Sequence, residues 1–203
     1  GAIEFESSEV RFMLDTKGEV IQGGMLARND AHKLIEECMI AANVEAARYI
    51  TAKAIPAPFR VHDRPPEQKY ADLLEYLSEF GLKLPPWSKV QPKDYTTLLK
   101  KIRERPDAAL LETVLLRSQS MAVYSPENKG HFGLALEAYG HFTSPIRRYP
   151  DLMLHRSIKH ALLAPKGGEG NADGFRYSLA EMAALCIQCS EKERRADEAQ
   201  REV

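Results

Sequence analysis

A lone tryptophan, only three cysteines, no paired acidic motif and no long apolar run set the first limits on this chain of 203 residues. Nothing approaches the roughly 20 consecutive apolar residues that a helix needs to cross a bilayer, and no basic-then-apolar leader opens the sequence. Neither membrane insertion nor export is predicted. Cys38, Cys186 and Cys189 lie in helical-looking stretches. They have neither the paired spacings of a zinc site nor the even count of a secretory disulfide framework. A reducing, cytoplasmic setting follows. No D-x-D pattern occurs, and Asp15, Asp63 and Asp151 stand far apart, so no metal-ligating residue is predicted. Charge of one sign is missing too, with 28 Lys and Arg against 29 Asp and Glu. Attraction to nucleic acid would therefore have to come from a local patch, not from the whole-molecule field.

What is present is ordinary apolar content and length enough for one sizeable domain. The chain opens at Gly1-Ala2-Ile3 without a methionine and stops at Arg201-Glu202-Val203 within a charged helical pattern, which predicts a piece of a longer protein. Alternation through Val10, Phe12 and Leu14, a turn at Asp15-Thr16-Lys17-Gly18 and a return at Val20 predict paired strands. From Asp30, read as the N-cap, to Lys53 the pattern is helical, with an apolar surface wide enough to predict burial on several sides. Residues 59–65 form an extended connector. A helix then begins at Pro66, runs through Tyr70, Leu73 and Leu77, and closes at Gly81.

Pro85, Pro86 and Pro92 predict a stiff loop. Two further helices follow, one around Tyr95 to Ile102 and one from Pro106 to Met121. Residues 131–139 alternate and predict another strand. Residues 164–177 form a glycine-rich loop, and Ser178 with Glu181 makes a capping box for the last helix. The expected class is α+β, with antiparallel strands packed against several helices.

The segment from His141 to Arg156 carries the chemistry. Ser144 suits an N-cap and Pro145 a first helical residue, with Pro150 kinking the early turns. A strand running into such a helix start leaves backbone N–H groups free to hold an anion. Thr143 and Ser144 add hydroxyls, and Arg147 and Arg148 add guanidinium forks suited to phosphate oxygens. Between residues 141 and 160 four cations face Asp151 alone, so the patch is basic although the chain is not. The same pattern also fits a plain helix cap whose arginines pair with acids elsewhere. His32, Glu36 and Asn43 form a polar stripe along the first helix. Glu36 could accept from ribose hydroxyls, or the stripe could be a satisfied structural network. Phe5, Trp87 and Tyr124 are each able to stack on a base and equally able to be packing residues.

His131-Phe132-Gly133-Leu134-Ala135-Leu136, then His141 through Leu152, then His155-Arg156 resemble the signature of the ribonuclease II superfamily catalytic (RNB) domain. Gly1 to Glu6, Asn29 to Glu37 and Arg194 to Glu198 extend the match and point to its bacterial ribonuclease R branch. The resemblance spans essentially the whole chain, residues 1–203, but corresponds to the later, C-terminal portion of the catalytic domain.

It implies a processive 3′→5′ exoribonuclease that hydrolyses single-stranded RNA to 5′-mononucleotides, with Mg²⁺ held by aspartates expected upstream of this chain. The flanking cold-shock and S1 domains are expected to be absent as well. By the same resemblance Arg147 is the catalytic arginine, and Glu36 lies by the terminal ribose. Thr143 and Ser144 cradle the backbone, Arg148 and Tyr149 join the RNA contacts, and Phe5 stacks on the 3′ base. The implied partners are single-stranded RNA and either the remainder of the catalytic domain or RNA-decay complex proteins. A non-catalytic RNA-binding or protein-docking module is the alternative, and an unrelated α/β domain with a chance anion site is a third reading.

Overall fold

A computed structural model describes residues 2–3, 10–25, 29–163 and 176–201. Phe5 and most of the expected loop at 164–177 lie outside the described residues. Two short antiparallel sheets and six helices make up the described part, an α+β architecture. In the first sheet β1 (Val10–Leu14) pairs with β2 (Val20–Met25). The intervening turn is closed by Asp15, whose carboxylate accepts the N–H groups of Lys17 and Glu19. Gly18, at φ 85°, supplies the left-handed residue that this turn requires.

Helix α1 (Asp30–Lys53) starts at the residue predicted as its cap, and the cap is Asn29, one residue earlier. Asn29 accepts from the His32 N–H at 3.0 Å, while the His32 ring accepts the Asn29 N–H. Burial on several sides holds only for the second half of α1, at Asn43, Val44, Ala46, Ala47 and Ile50. The first half is exposed, with Leu34 at 65% and Ile35 at 59%. The hydrophobic cluster that α1 joins reaches no further toward its N-terminus than Ala46.

The expected connector contains a short strand, β3 (Phe59–Val61), paired antiparallel with β4 (Val123–Ser125). Between them lie α2 (Glu67–Glu79), α3 (Pro92–Ile102) and α4 (Ala108–Ser118). Their apolar faces meet in one cluster of Tyr70, Leu77, Tyr95, Ile102, Leu111 and Leu115. Helix α2 ends in a Schellman motif, with Leu82 N–H donating to Leu77 and Gly81 N–H to Ser78. Gly81 sits at φ 68°, so its predicted closing role matches its backbone. Helix α4 ends three residues before the expected Met121, because the backbone turns extended at Gln119 to enter β4.

Residues 131–139 are not a strand. The backbone turns tightly, with His131 N–H donating to Leu136 at 2.8 Å and Leu136 N–H back to His131 at 3.2 Å. Ala135 takes φ 55° inside the turn. A Cβ on Gly133 would come within 2.9 Å of the His62 ring, so glycine lets the turn close against that histidine. Alternation in the sequence thus hides a reversal of the chain.

Helices α5 (Tyr149–Leu163) and α6 (Leu179–Arg201) complete the fold. Ser178 and Glu181 make the predicted capping box of α6. Helix α5 is shared by two clusters, packing Leu154 against α1 and β3 and Met153 against Tyr124, Met182 and Cys186. Its first turn is thereby fixed between α1 on one side and α6 on the other.

Candidate functional site

The segment from Gly140 to Arg148 lies between the chain reversal and α5, and is tied down from several directions. Asn43 in α1 is buried. It accepts the Phe142 N–H at 2.9 Å and donates to the Tyr139 hydroxyl at 3.0 Å. On the other face His155 of α5 donates to the Phe142 carbonyl at 2.8 Å, and its ring stacks on the Phe142 ring at 4.0 Å. The Tyr124 hydroxyl hydrogen bonds His141 Nδ1 at 2.9 Å. Position 142 therefore has both backbone polar groups satisfied by side chains from distant parts of the chain.

Ser144 does not cap a helix. Its carbonyl accepts from the N–H groups of Arg147 and Arg148, forming one turn that is not continued, and α5 starts only at Tyr149. A helix begun at Pro145 would place Pro150 in its interior, where it lacks a donor and clashes with the carbonyl four residues back. Starting at Tyr149 puts Pro150 in the first turn, where a missing N–H costs nothing. No kink is needed.

The anchor of this turn is Asp151, fully buried. One of its oxygens accepts both the Ser144 N–H and an Arg148 guanidinium N–H, each at 2.7 Å. Of the two arginines, Arg148 is thus committed to an acid three residues along its own helix start. The alternative of an arginine paired with an acid thus applies to Arg148, while both guanidinium side chains still line one cavity. Arg147 is exposed, flanked by the exposed Ile146 and by Tyr149 at 47%. Thr143 is partly buried, and its hydroxyl has no hydrogen-bond partner among the described residues. Arg156 donates to the Tyr177 hydroxyl at 3.1 Å and also reaches the Tyr149 side chain.

Arg147, Arg148 and Tyr149 line one wall of a cavity of about 410 Å³, with Lys192 and Glu193 of α6 across from them. Glu36 lines a different groove, with His32, Ile35 and Met39. It stands two turns, or roughly 10 Å by helix rise, from Asn43. The three polar residues of the α1 stripe thus have separate places: His32 in the cap, Glu36 on an exposed face, and Asn43 against the arginine loop. Trp87 donates its indole N–H to the Pro65 carbonyl at 2.8 Å, and Tyr124 is buried. Both act as packing residues. Sequence reasoning placed Asn43 in the stripe without finding its partner, and it missed Lys192, which looks like part of a solvated charged face.

Beneath the loop runs a chain of rings, with His62, His131, Tyr139, His141 and Tyr124 each within 6 Å of the next. Burial pushes His131 down to about 3, helped by the neighbouring His62 and Arg60. Burial also pushes His141 down to about 4, with Arg148 and Arg60 adding to it. His62, lowered chiefly by burial, accepts the Gly133 N–H and donates to the Ser120 carbonyl. These imidazoles are neutral near pH 7.

Because the folded pKa values lie below the unfolded value near 6.5, the unfolded chain binds more protons in acid. The stabilisation is complete above about pH 6.5 and is lost as pH falls toward about 4 for His141 and about 3 for His131. Each histidine costs about 1.4 kcal/mol per pH unit within its window. Urea midpoints should therefore drop clearly between about pH 7 and pH 5 and be restored in part by His141→Gln. A midpoint flat across that range would show that these rings do not control acid stability.

Among the described residues no group of three or more His, Cys, Asp or Glu side chains is placed to hold a metal ion. Asp151, the acid nearest the arginines, is already engaged. No helix among the described residues is long and apolar enough to cross a membrane.

Comparisons with known proteins give the family. The RNB domain matches residues 1–164. Ribonuclease R of Escherichia coli (strain K12) is 51% identical over 206 residues, covering 100% of this chain and 25% of that protein. The chain spans about a quarter of the length of the curated relatives it matches. Mycoplasma genitalium RNase R, solved in complex with ribose methylated single-stranded RNA, superposes with a TM-score of 0.87 at 27% identity. That match covers 100% of this chain and 31% of the other. The structure of yeast Ssd1, described as a pseudonuclease, aligns at TM-score 0.62 and 25% identity over 82% of this chain and 20% of its own. With the arginine turn, its Asp151 anchor and the histidine-lined reversal all inside the matched span, the chain belongs to the RNB domain family.

Proposed function

We propose that this chain supplies the phosphate- and ribose-contacting part of a processive 3′→5′ exoribonuclease that degrades single-stranded RNA to 5′-mononucleotides. The observation that carries the reading is the division of labour at the arginine turn. Asp151 holds Arg148 and the Ser144 backbone, leaving Arg147 projecting from a rigid base. A guanidinium so placed can donate hydrogen bonds to the phosphate oxygens on which charge builds, and preorganisation is what makes such a donor worth several kcal/mol in the transition state. Thr143 and Ser144 flank the same backbone path. Tyr149 adds an exposed ring, and Glu36, on an exposed face of α1, is the residue assigned to the terminal ribose.

Phe5 as the base-stacking ring and Mg²⁺ bound by aspartates upstream complete the proposal. The described residues do not themselves compose a magnesium site. Such ions would supply Lewis-acid stabilisation and an activated water. RNA as the ligand is supported by the Mycoplasma genitalium RNase R complex with single-stranded RNA. A cytoplasmic setting suits the three cysteines, all of them free thiols.

The likeness to a pseudonuclease favours a second reading, a non-catalytic RNA-binding or docking module. Incubation of the full-length protein with Mg²⁺ and 3′- or 5′-labelled single-stranded RNA separates the two. Release of mononucleotides from the 3′ end, by the full-length protein and not by the 203-residue chain alone, is the expected result. Tight RNA binding by the full-length protein without any release would decide for the second reading.

A further inference from the structure

The cavity beside the arginine turn is built from two helices far apart in sequence, and its charges are unevenly matched. Arg148 is neutralised by Asp151 at 2.7 Å. Glu193, the acid on the α6 wall, is neutralised by Arg60 at 2.6 Å, and that guanidinium also lies over the Tyr124 ring at 4.6 Å. Both pairs have a buried or largely buried member, which holds them in place. What remains facing the cavity is Arg147 on one wall and Lys192 on the other. Neither has an acidic partner among the described residues. Two positive charges across a cavity of about 410 Å³ repel each other unless an anion sits between them, and the volume admits a phosphate with its sugar.

We propose that Lys192 of α6 is a phosphate-positioning residue that holds an RNA phosphodiester opposite Arg147. This deepens, and rests on, the exonuclease reading above. The two cations differ in kind. Arg147 is a planar fork on a rigid turn, suited to a geometry that changes as the phosphate reacts. Lys192 is a point charge on a flexible stem, suited to holding a neighbouring phosphate equally well before and during reaction. Lys192 therefore contributes uniform binding, seen in affinity and KM, whereas Arg147 contributes to kcat.

Binding of a labelled single-stranded adenylate oligomer to the full-length protein, in EDTA and across a salt series, tests this. Lys192→Ala should weaken binding several-fold and reduce the slope of log K against log salt by about 0.7, the share of one phosphate contact on a single strand. Lys192→Arg should restore the slope. Lys69→Ala, on the exposed face of α2, should leave it unchanged. With Mg²⁺, Lys192→Ala should raise KM for RNA by more than it lowers kcat, the reverse of the balance expected for Arg147→Ala. An unchanged slope in Lys192→Ala, or an equal fall in Lys69→Ala, overturns the assignment even if the wild type releases mononucleotides. A slope that falls only in Lys192→Ala, in a protein that binds RNA without cleaving it, upholds the phosphate contact and overturns the exonuclease reading.

Discussion

Replacing Arg147 by alanine in the full-length protein is expected to slow RNA turnover at least about 100-fold while lowering RNA affinity no more than a few-fold. The asymmetry follows from where the side chain sits. A processive enzyme grips many phosphates along the strand, so one lost contact changes affinity by a small share of the total. The scissile phosphate is different, because its charge redistributes only in the transition state, and a donor aimed there acts on kcat. The turn that carries Arg147 is fixed through Ser144 to the buried Asp151, so the guanidinium pays little reorganisation when charge develops. Arg147→Lys keeps the charge but loses the two-pronged geometry, and should recover only part of the rate. Single-turnover rates alongside equilibrium binding would read both effects, and near-normal turnover in Arg147→Ala would remove this residue from the mechanism.

The second large effect is on stability. Asp151→Ala leaves the partly buried Arg148 without its acid and the Ser144 N–H without an acceptor. Breaking one side of a buried pair typically costs about 3–5 kcal/mol, because the remaining charge stays desolvated. A urea denaturation midpoint lowered to match is the expected result. Asp151→Asn retains an oxygen for the Ser144 N–H and should cost less. The double variant Asp151→Leu, Arg148→Met removes both charges together and should regain much of the loss. If Asp151→Ala unfolded at the wild-type urea concentration, the carboxylate would not be the anchor described here.

Helix α2 is legible in the sequence because its apolar period ends on Gly81, and α6 because Ser178 and Glu181 form a capping box before it; α3 is legible from its apolar period alone, and Pro92, expected within a stiff loop, is in fact its first residue. The strands β3 and β4 are not legible, since three residues are too few to display a period of two. The misreading of residues 131–139 has a different cause. Their alternation is real, but Ala135 at positive φ and the close approach of Gly133 to His62 reverse the chain, and neither is visible in a hydrophobic pattern.

In the candidate site, the Arg148–Asp151 pair lay at a spacing of three, short enough to be read as a local partnership. Asn43 and Phe142 stand 99 residues apart, and Lys192 reaches the cavity that Arg147 lines only through the packing of α6. Such non-local meetings carry no trace in local spacing.

The tethering of Phe142 has a consequence for how the protein assembles and comes apart. Its backbone is held by side chains from positions 43 and 155, so the local anchor at Asp151 is backed by a tether that no contiguous stretch of chain contains. Closing the loop between α1 and Phe142 carries an entropic cost that is recovered only when their contacts form, so the site is expected to form late in folding. The reverse holds on opening. A local fluctuation that frees either α1 or the start of α5 slackens the tether at once, well before the three-helix cluster around Tyr70 and Tyr95 is disturbed. If the turn holds phosphate as proposed, that grip is expected to fade at a denaturant concentration below that at which the helices melt.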